Sequence, residues 1–439
     1  MRVRLETLGC RLNTAECERL AREFDAAGHH VVDDGQPFDV CIVNTCAVTG
    51  VAGRKSRQLI RHLQHTQPDA FFVVTGCYAE LEPQQSAALG VAMVVGNHDK
   101  DAIVNLVTAR LDRPTTAGTA QVTGAVKGTP GQRTRAFIKV QDGCDNACTF
   151  CVVRLARGTG RSRPIAEVLA EVRRLVELGY REVVLSGVHL GAYGHDWGDR
   201  RGLFGLVQRL LDETDVARLR LSSLEPWDLD VGAFDLWQER RLAPSLHLPL
   251  QSGCAATLRR MARRTTPDEY AALVAAARAS IPDLAVTTDV MVGFPGETEA
   301  EFNASLAFVE AQGFAHLHIF RYSPRPGTPA ARLPDQVPAA VAALRSRQLH
   351  VLGREHARAF RRRFVGRTMN VLWESGTPEA GGRRWSGLSE NGLRVVTQVG
   401  PGSDGGDGPG LRNVITPTRL VSEDDDGLRG EIVETWPCQ

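Results

Sequence analysis

Cys144-Asp145-Asn146-Ala147-Cys148-Thr149-Phe150-Cys151 is the stretch on which the reading of this 439-residue chain turns. Three thiolates this close in sequence can each hold one iron of a four-iron cubane, which leaves the fourth iron without a protein ligand. An open iron of that kind can chelate the amino and carboxylate groups of S-adenosylmethionine. One electron passed into the sulfonium then breaks a carbon–sulfur bond and frees a 5′-deoxyadenosyl radical. A structural zinc needs four ligands, and no fourth Cys or His stands at finger-like spacing. The stretch follows a short apolar run at 136–140, the first of six candidate strands; the others fall at 182–186, 218–221, 245–248, 285–291 and 317–320. Helical patterns separate them. The clearest covers 165–178, where Ile165, Val168, Leu169, Val172, Leu175 and Val176 recur at helical spacing. Thr298 with Glu301 forms a capping box that opens another helix. Six β/α units predict an incomplete parallel barrel over 134–357, whose active end is the C-terminal end of its strands. The cysteine stretch falls at that end.

Upstream, residues 1–111 alternate strand (3–8, 40–44, 71–75, 91–95) and helix (14–27, 54–65). That alternation predicts an open parallel α/β sheet covered on both faces. Cys10, Cys46 and Cys77 each stand just past the C-terminal end of such a strand, and in an open parallel sheet those ends share one edge. Three cysteines far apart in sequence are therefore expected to meet, a second set of thiolates able to leave one iron open. Residues 112–133 lose periodicity and read as a Gly-, Thr- and Pro-rich linker. After that comes the barrel, and then residues 362–436 change pattern again. Short runs at 370–373, 393–399, 414–420 and 431–435 between Gly-, Asp- and Pro-rich turns predict a small all-β barrel in the style of oligonucleotide-binding barrels. The 400–410 segment reads as a flexible loop by composition. The fold class is α/β in the first two units and all-β in the third.

Composition limits the remaining choices. Net charge is +1, so any nucleic-acid surface must come from local clustering. Arg154, Arg157, Arg161 and Arg163 follow the cysteine stretch. Arg354, Arg358, Arg361, Arg362, Arg363 and Arg367 lie on a helix leading into the small barrel, a stripe suited to tracking phosphates. The candidate RNA contacts are Arg157, Arg161, Arg163, Arg358, Arg361, Arg362 and Arg363. No apolar leader or membrane-spanning run is present, which makes the cytoplasm the expected compartment. That compartment keeps thiols reduced, so ten cysteines point to metal or redox chemistry rather than disulfides. Cys17, inside a helix, and Cys41, inside a strand, read as small apolar residues, Cys254 as a packing residue, and Cys438 as part of a tail. Gly293-Phe294-Pro295-Gly296 ends a strand and opens a helix, where glycines allow close approach of an adenosyl group. Ser186, Gly187, Gln251, Gly293 and Phe294 are the candidate S-adenosylmethionine contacts, from their strand-end positions.

These motifs together resemble the methylthiotransferase family of radical S-adenosylmethionine enzymes, over essentially the whole chain. The resemblance implies that Cys10, Cys46 and Cys77 ligate an auxiliary [4Fe-4S] cluster. It implies that Cys144, Cys148 and Cys151 ligate the radical [4Fe-4S] cluster, and that the last unit is a TRAM domain gripping tRNA. One branch of the family modifies threonylcarbamoyladenosine in tRNA, another isopentenyladenosine in tRNA, and a third an aspartate of a ribosomal protein. Gly9-Cys10-Arg11-Leu12-Asn13 with Glu16, Gln141-Asp142-Gly143-Cys144, Leu221-Ser222-Ser223-Leu224-Glu225-Pro226 and Tyr322-Ser323-Pro324-Arg325-Pro326-Gly327-Thr328 look most like the first branch. The implied activity is methylthiolation of C2 of N6-threonylcarbamoyladenosine next to the anticodon, with the tRNA anticodon stem-loop as partner. An electron donor and a sulfur source are implied as well, neither named by the sequence. The other two branches stay open at this point, as does a zinc-stabilised RNA-binding protein without catalysis. The chain departs from the family pattern at Val152-Val153-Arg154-Leu155, where a proline usually follows the last cysteine, and in its 400–410 segment.

Overall fold

The computed structural model describes residues 1–111, 133–400, 410–424 and 427–433. Residues 112–132 of the expected linker, 401–409 of the expected loop, and Cys438 lie outside them. Strands β1 (Arg2–Thr7), β2 (His30–Val31), β3 (Val40–Thr45), β4 (Phe71–Gly76) and β5 (Met93–Val95) form a sheet in the order β2-β1-β3-β4-β5. All its pairings are parallel. The central strand β3, Val-Cys-Ile-Val-Asn-Thr, is buried at every position, as a strand covered on both faces must be. Val40 and Ile42 pack on one side with Leu20 and Phe24 of α1 (Arg11–Ala26); Cys41 and Val43 pack on the other with Ile60 and Leu63 of α2 (Gly50–Thr66). Two-residue β2 is too short to leave a periodic signal and was not expected.

The central unit holds the six expected parallel strands: β6 (Arg135–Asp142), β8 (Glu182–Gly187), β9 (Arg218–Leu221), β10 (Ser245–His247), β11 (Ala285–Val292) and β12 (His316–Arg321). A further strand, β7 (Arg161–Ser162), runs antiparallel to β6 and was not anticipated. Between β9 and β10 the sheet is held by isolated bridges such as Ser223↔His247, so the wall bends into an open barrel. Val183, Leu185, Val286 and Val290 face the outer helices, among them the expected helix, which runs Ile165–Glu177. The alternate positions face inward. On the concave side, Phe137 of β6 and Val184 of β8 pack against Ala15 of α1, so the first turns of this helix enter the open barrel, while Arg22 further along pairs with Glu171 of the outer helix at 2.6 Å.

The helix Ala339–Arg362 runs from the central unit to a closed barrel. It ends at Arg362, so Arg363 and Arg367 of the expected arginine helix belong to the turn that follows. The barrel has β13 (Thr368–Glu379), β14 (Gly382–Ser389), β15 (Arg394–Val399), β16 (Ile415–Asp424) and β17 (Gly427–Ile432) in the order β13-β14-β15-β17-β16. β14 was missed because its Gly-Arg-Arg-Trp-Ser-Gly-Leu-Ser lacks an apolar run; Trp385 alone anchors it, buried with Trp373. β17 overlaps the strand expected at 431–435 only at Glu431 and Ile432: it begins earlier, at Gly427, and residues 434–435 lie outside the described residues.

This barrel caps the N-terminal ends of the central strands, the end opposite the cysteine stretch. Arg218 donates to Asn370 O at 2.9 Å and Arg220 to Glu390 O at 3.0 Å. Both guanidiniums also pair with Glu182, which is fully buried. Burial would raise that carboxyl, yet Arg220 and Arg218 outweigh it and hold the pKa at about 2. Among the described residues no helix is long and apolar enough to cross a membrane.

Candidate active site: two cysteine trios joined by a buried ionic hub

Cys10 caps the N-terminus of α1 just past β1, Cys46 follows β3, and Cys77 opens α3 (Cys77–Leu81) directly after β4. The chain order of the sheet thus delivers all three to one edge. Cys46 lies within Coulombic reach of both Cys77 and Cys10. Gly9 adopts φ +114, and a Cβ there would come within 2.6 Å of the Cys46 Cβ and 2.8 Å of its Sγ, so only glycine lets the β1 turn approach Cys46 this closely. The Asn13 amide donates to Leu8 O at 2.7 Å and Thr45 O at 3.1 Å, pinning the start of α1 over the end of β3.

Cys144, Cys148 and Cys151 gather in one loop after β6, each within Coulombic reach of the others. The loop is tied at both ends and in the middle. Cys144 N–H donates to Gly158 O at 3.1 Å, Cys151 N–H to Cys148 O at 3.1 Å, and Thr149 Oγ1 to Arg260 O at 2.8 Å. Arg263 Nη1 lies 3.7 Å from Cys148 Sγ, the Val153 N–H donates to Cys151 Sγ at 3.4 Å, and His189, which meets Asn146 of the same loop at 3.3 Å, stands within electrostatic reach of Cys144. Arg263 is fixed by Glu225, by Pro249 O at 2.7 Å, and by the face of Trp227, 4.5 Å away. His189 is fixed by Asp228 at 2.6 Å.

The donor sets suit iron–sulfur clusters. Burial pushes the Cys151 thiol up to about 12 and the Cys46 thiol to about 11, and binding a metal as thiolate would release those protons. Among the described residues no group of three or more His, Cys, Asp or Glu converges on a point where one metal ion would sit. Each trio offers three thiols, which as thiolates could each take one corner of a cubane.

Between the trios lies a cluster of buried charge. Glu16 of α1, 1% exposed, accepts from Lys100 at 2.6 Å, Arg157 at 2.8 Å, Lys139 at 3.1 Å and Asn44 at 3.0 Å. Burial opposes its ionisation, but Lys100, Arg157 and Lys139 together hold its pKa well below the usual carboxylate range. Arg157 also donates to Asp142 at 2.9 Å and to the Asn13 side chain at 2.9 Å. Asn13 belongs to the turn carrying Cys10, and Asp142 to the turn carrying Cys144. One ionic hub therefore fixes both cysteine-bearing turns.

The hub corrects one expectation. Arg157, read as an RNA contact, is 2% exposed and saturated by Glu16 and Asp142, so it has no face left for a phosphate. Arg163 is partly engaged with Glu171 at 2.7 Å, and Arg362 pairs with Glu423 at 3.1 Å. Arg161, Arg358 and Arg363 are exposed, and Arg361 is half-buried.

The expected S-adenosylmethionine contacts divide as well. Ser186, 2% exposed, has an unpartnered hydroxyl on the concave side, and Gly187 packs closely against Gln141. Gln251 is held at φ 71 by backbone bonds to Asp289 and Met291. Gly293 and Phe294 do not face an open space. A Cβ on Gly293 would meet Ala342 Cβ at 2.6 Å, and Phe294 is fully buried with Met261 and Ala330, edge-on to Phe150. Their work is to back the cysteine loop.

Glu16 and Glu225 were visible as motif residues without a role, while Arg263, His189 and Asp228 gave no local signal. Exposed Val48, Val51 and Leu155 stand beside the segment after β12: Gly50 N–H donates to Ser323 Oγ at 3.3 Å, and Leu155 abuts Gly327. A cleft of about 660 Å³ opens on the flank, between α1 and the helix Ile165–Glu177; it reaches Glu16, Lys139 and Asp142 of the hub and contains none of the six cysteines.

Comparison with known proteins agrees with this geometry. Residues 2–96 match the family described as uncharacterized protein family UPF0004, and residues 138–309 match the radical SAM superfamily. The chain is 39% identical to the threonylcarbamoyladenosine tRNA methylthiotransferase MtaB of Thermotoga maritima, over 85% of this chain and 86% of that protein. It is 37% identical to the protein of the same name from Bacillus subtilis, over 90% of each. It is also 36% identical to the tRNA-2-methylthio-N(6)-dimethylallyladenosine synthase of Novosphingobium aromaticivorans, over 88% of this chain and 89% of that one. Among solved structures, the radical S-adenosylmethionine methyltransferase TsrM of Kitasatospora setae superimposes with a TM-score of 0.56 at 17% identity, covering 75% of this chain and 77% of that one. At that identity the likeness shows the fold alone.

Proposed function

The chain belongs to the radical S-adenosylmethionine methylthiotransferases, and we propose that it is of their tRNA threonylcarbamoyladenosine branch and methylthiolates C2 of N6-threonylcarbamoyladenosine next to the anticodon. The observation that carries this reading is the pair of cysteine trios fixed by one ionic hub at the mouth of a single barrel. In the proposal Cys144, Cys148 and Cys151 hold the radical [4Fe-4S] cluster, and Cys10, Cys46 and Cys77 the auxiliary one. When bound, the clusters and S-adenosylmethionine supply reductive sulfonium cleavage on one side and a sulfur to be methylated on the other.

The protein's part is placement. C2 of adenine offers no useful acid–base chemistry, so the reaction depends on holding the base between two reactive centres, with water excluded. Arg263, the Val153 N–H and His189 orient the sulfurs of one trio. Asn13 and Gly9 set the approach of the other. Glu16 and Arg157 fix the distance between them. Apolar Val48, Val51 and Leu155 give the mouth a surface for a nucleobase. Exposed Arg161, Arg358 and Arg363, with Arg163, Arg361 and Arg362, are the candidate phosphate contacts of the RNA.

Two measurements test the reading. Anaerobically reconstituted wild type should cleave S-adenosylmethionine under a strong reductant while Cys148→Ala does not; equal cleavage by both would remove the radical-cluster assignment. Mass spectrometry of tRNA nucleosides from cells with and without the gene should lose methylthio-threonylcarbamoyladenosine. Loss of the methylthio-isopentenyladenosine instead would move the chain to the neighbouring branch.

A further inference from the structure

Arg11 occupies an unusual place. It follows Cys10 as the first residue of α1, and the first turns of α1 lie within the open barrel. Its guanidinium is within Coulombic reach of Arg135, Glu182, Arg220, Asp289 and His318. Those are inward positions on β6, β8, β9, β11 and β12, so the charge sits near the barrel axis rather than on one wall. Arg11 is nevertheless exposed to solvent, so the space around it is an accessible hollow. Among the described residues none hydrogen-bonds or ion-pairs with it. Glu182 is committed to Arg218 and Arg220, and Asp289 lies 3.4 Å from His247.

The walls of the hollow supply hydrogen-bonding groups. His247 and His318 stand 5.3 Å apart, and His316 lies 4.6 Å from His318. Ser186 and Ser222, at the inward ends of neighbouring strands β8 and β9, are 2% and 6% exposed, and both hydroxyls lack a partner. A cation without a protein partner, inside a barrel whose inward positions include two unpartnered hydroxyls and three histidines, and next in sequence to Cys10, is complementary to a small anion bearing hydroxyl or amide groups.

We propose that this hollow is the subsite for the carboxylate-bearing substituent on N6 of the target adenosine, with Arg11 as its anion anchor and a specificity-determining residue. The proposal rests on the threonylcarbamoyl reading above and deepens it. An isopentenyl group would leave Arg11 desolvated without a partner, which disfavours that substrate.

The test uses anticodon stem-loop RNAs carrying N6-threonylcarbamoyladenosine as the free acid, the same group as its methyl ester, or isopentenyladenosine. Wild-type holoenzyme should prefer the acid over the ester by roughly 10- to 100-fold in kcat/KM, the range for a charged hydrogen bond. In Arg11→Gln that ratio should collapse toward one, while Arg11→Lys should keep an acid preference. If the glutamine variant takes up too little iron to turn over, the same ratio is read from equilibrium binding of the two RNAs. A wild type indifferent to the ester, or a glutamine variant whose rates fall equally on both RNAs, overturns the subsite. A wild type active on the isopentenyl RNA and inactive on both threonylcarbamoyl RNAs overturns the branch reading instead.

Discussion

The two cysteine trios reach the same mouth by opposite routes. Cys144, Cys148 and Cys151 share one short loop after β6 and would stay neighbours if the rest of the chain were rearranged. Cys10, Cys46 and Cys77 come from the ends of three strands and are neighbours only because β1, β3 and β4 lie side by side in one parallel sheet. The first trio is a property of local sequence and the second a property of topology. A local trio is held by backbone bonds within its own loop. A topological trio is only as well placed as the sheet beneath it, and here it is further tied to the barrel through Glu16.

The sharpest way to break the comparison is to remove one sulfur from each. Cys148→Ala should bring production of 5′-deoxyadenosine to background, whereas Cys46→Ala should still cleave S-adenosylmethionine yet form no methylthio nucleoside; liquid chromatography with mass spectrometry reads both products. If Cys46→Ala also stops cleavage, the trios are not separable centres.

Glu16→Gln strikes the link between them. Breaking a buried ionic cluster by removing its carboxylate costs about 3–5 kcal/mol. Because one hub fixes both turns, iron retained by both trios should fall together. Denaturant unfolding and iron quantification check this, and loss confined to one trio would show that the hub serves only that side.

Acid probes the opposite end of the barrel. Glu182 has a folded pKa of about 2 against 4.5 for a free glutamate side chain. Its contribution is complete above pH ~4.5 and is lost as pH falls toward ~2, on the order of 3 kcal/mol. Unfolding midpoints measured between pH 5 and 2.5 should fall in wild type; a flat profile there would mean the Arg218–Glu182–Arg220 cluster adds nothing. The smallest effect belongs to the cysteines outside the trios. Cys17→Ala and Cys41→Ala, both buried small residues, should keep full iron and lose about 1 kcal/mol.

This contrast also explains what could be read from sequence. The cysteine spacing in the loop after β6 is visible in eight residues. The three strand-end cysteines were legible because β1, β3 and β4 are apolar runs, and a parallel sheet brings their C-terminal ends to one edge. The hub was not legible. Glu16 and Arg157 are separated by 141 positions, and charged residues without a known partner read as surface. By that default the buried Arg157 reads as an RNA contact. Phe294 and Gly293 were misread for a related reason, since a strand-to-helix turn looks the same whether its outer side meets a ligand or a neighbouring helix. The short strands β2 and β7 escaped because two residues carry no period.

The seating of α1 within the open barrel bears on how hybrids of such enzymes should be assembled. Its tip carries Cys10 and Arg11, while its flank presents Ala15 to Phe137 and Val184 and Glu16 to Lys139 and Arg157. A cut in the 112–132 segment looks like a clean module border by sequence, but it parts a plug from its socket. A chimera that exchanges the first 111 residues without β6, β8 and the turn at 153–157 will expose a carboxylate on one side and cations on the other. The unit of exchange between relatives is the helix together with the strands that receive it.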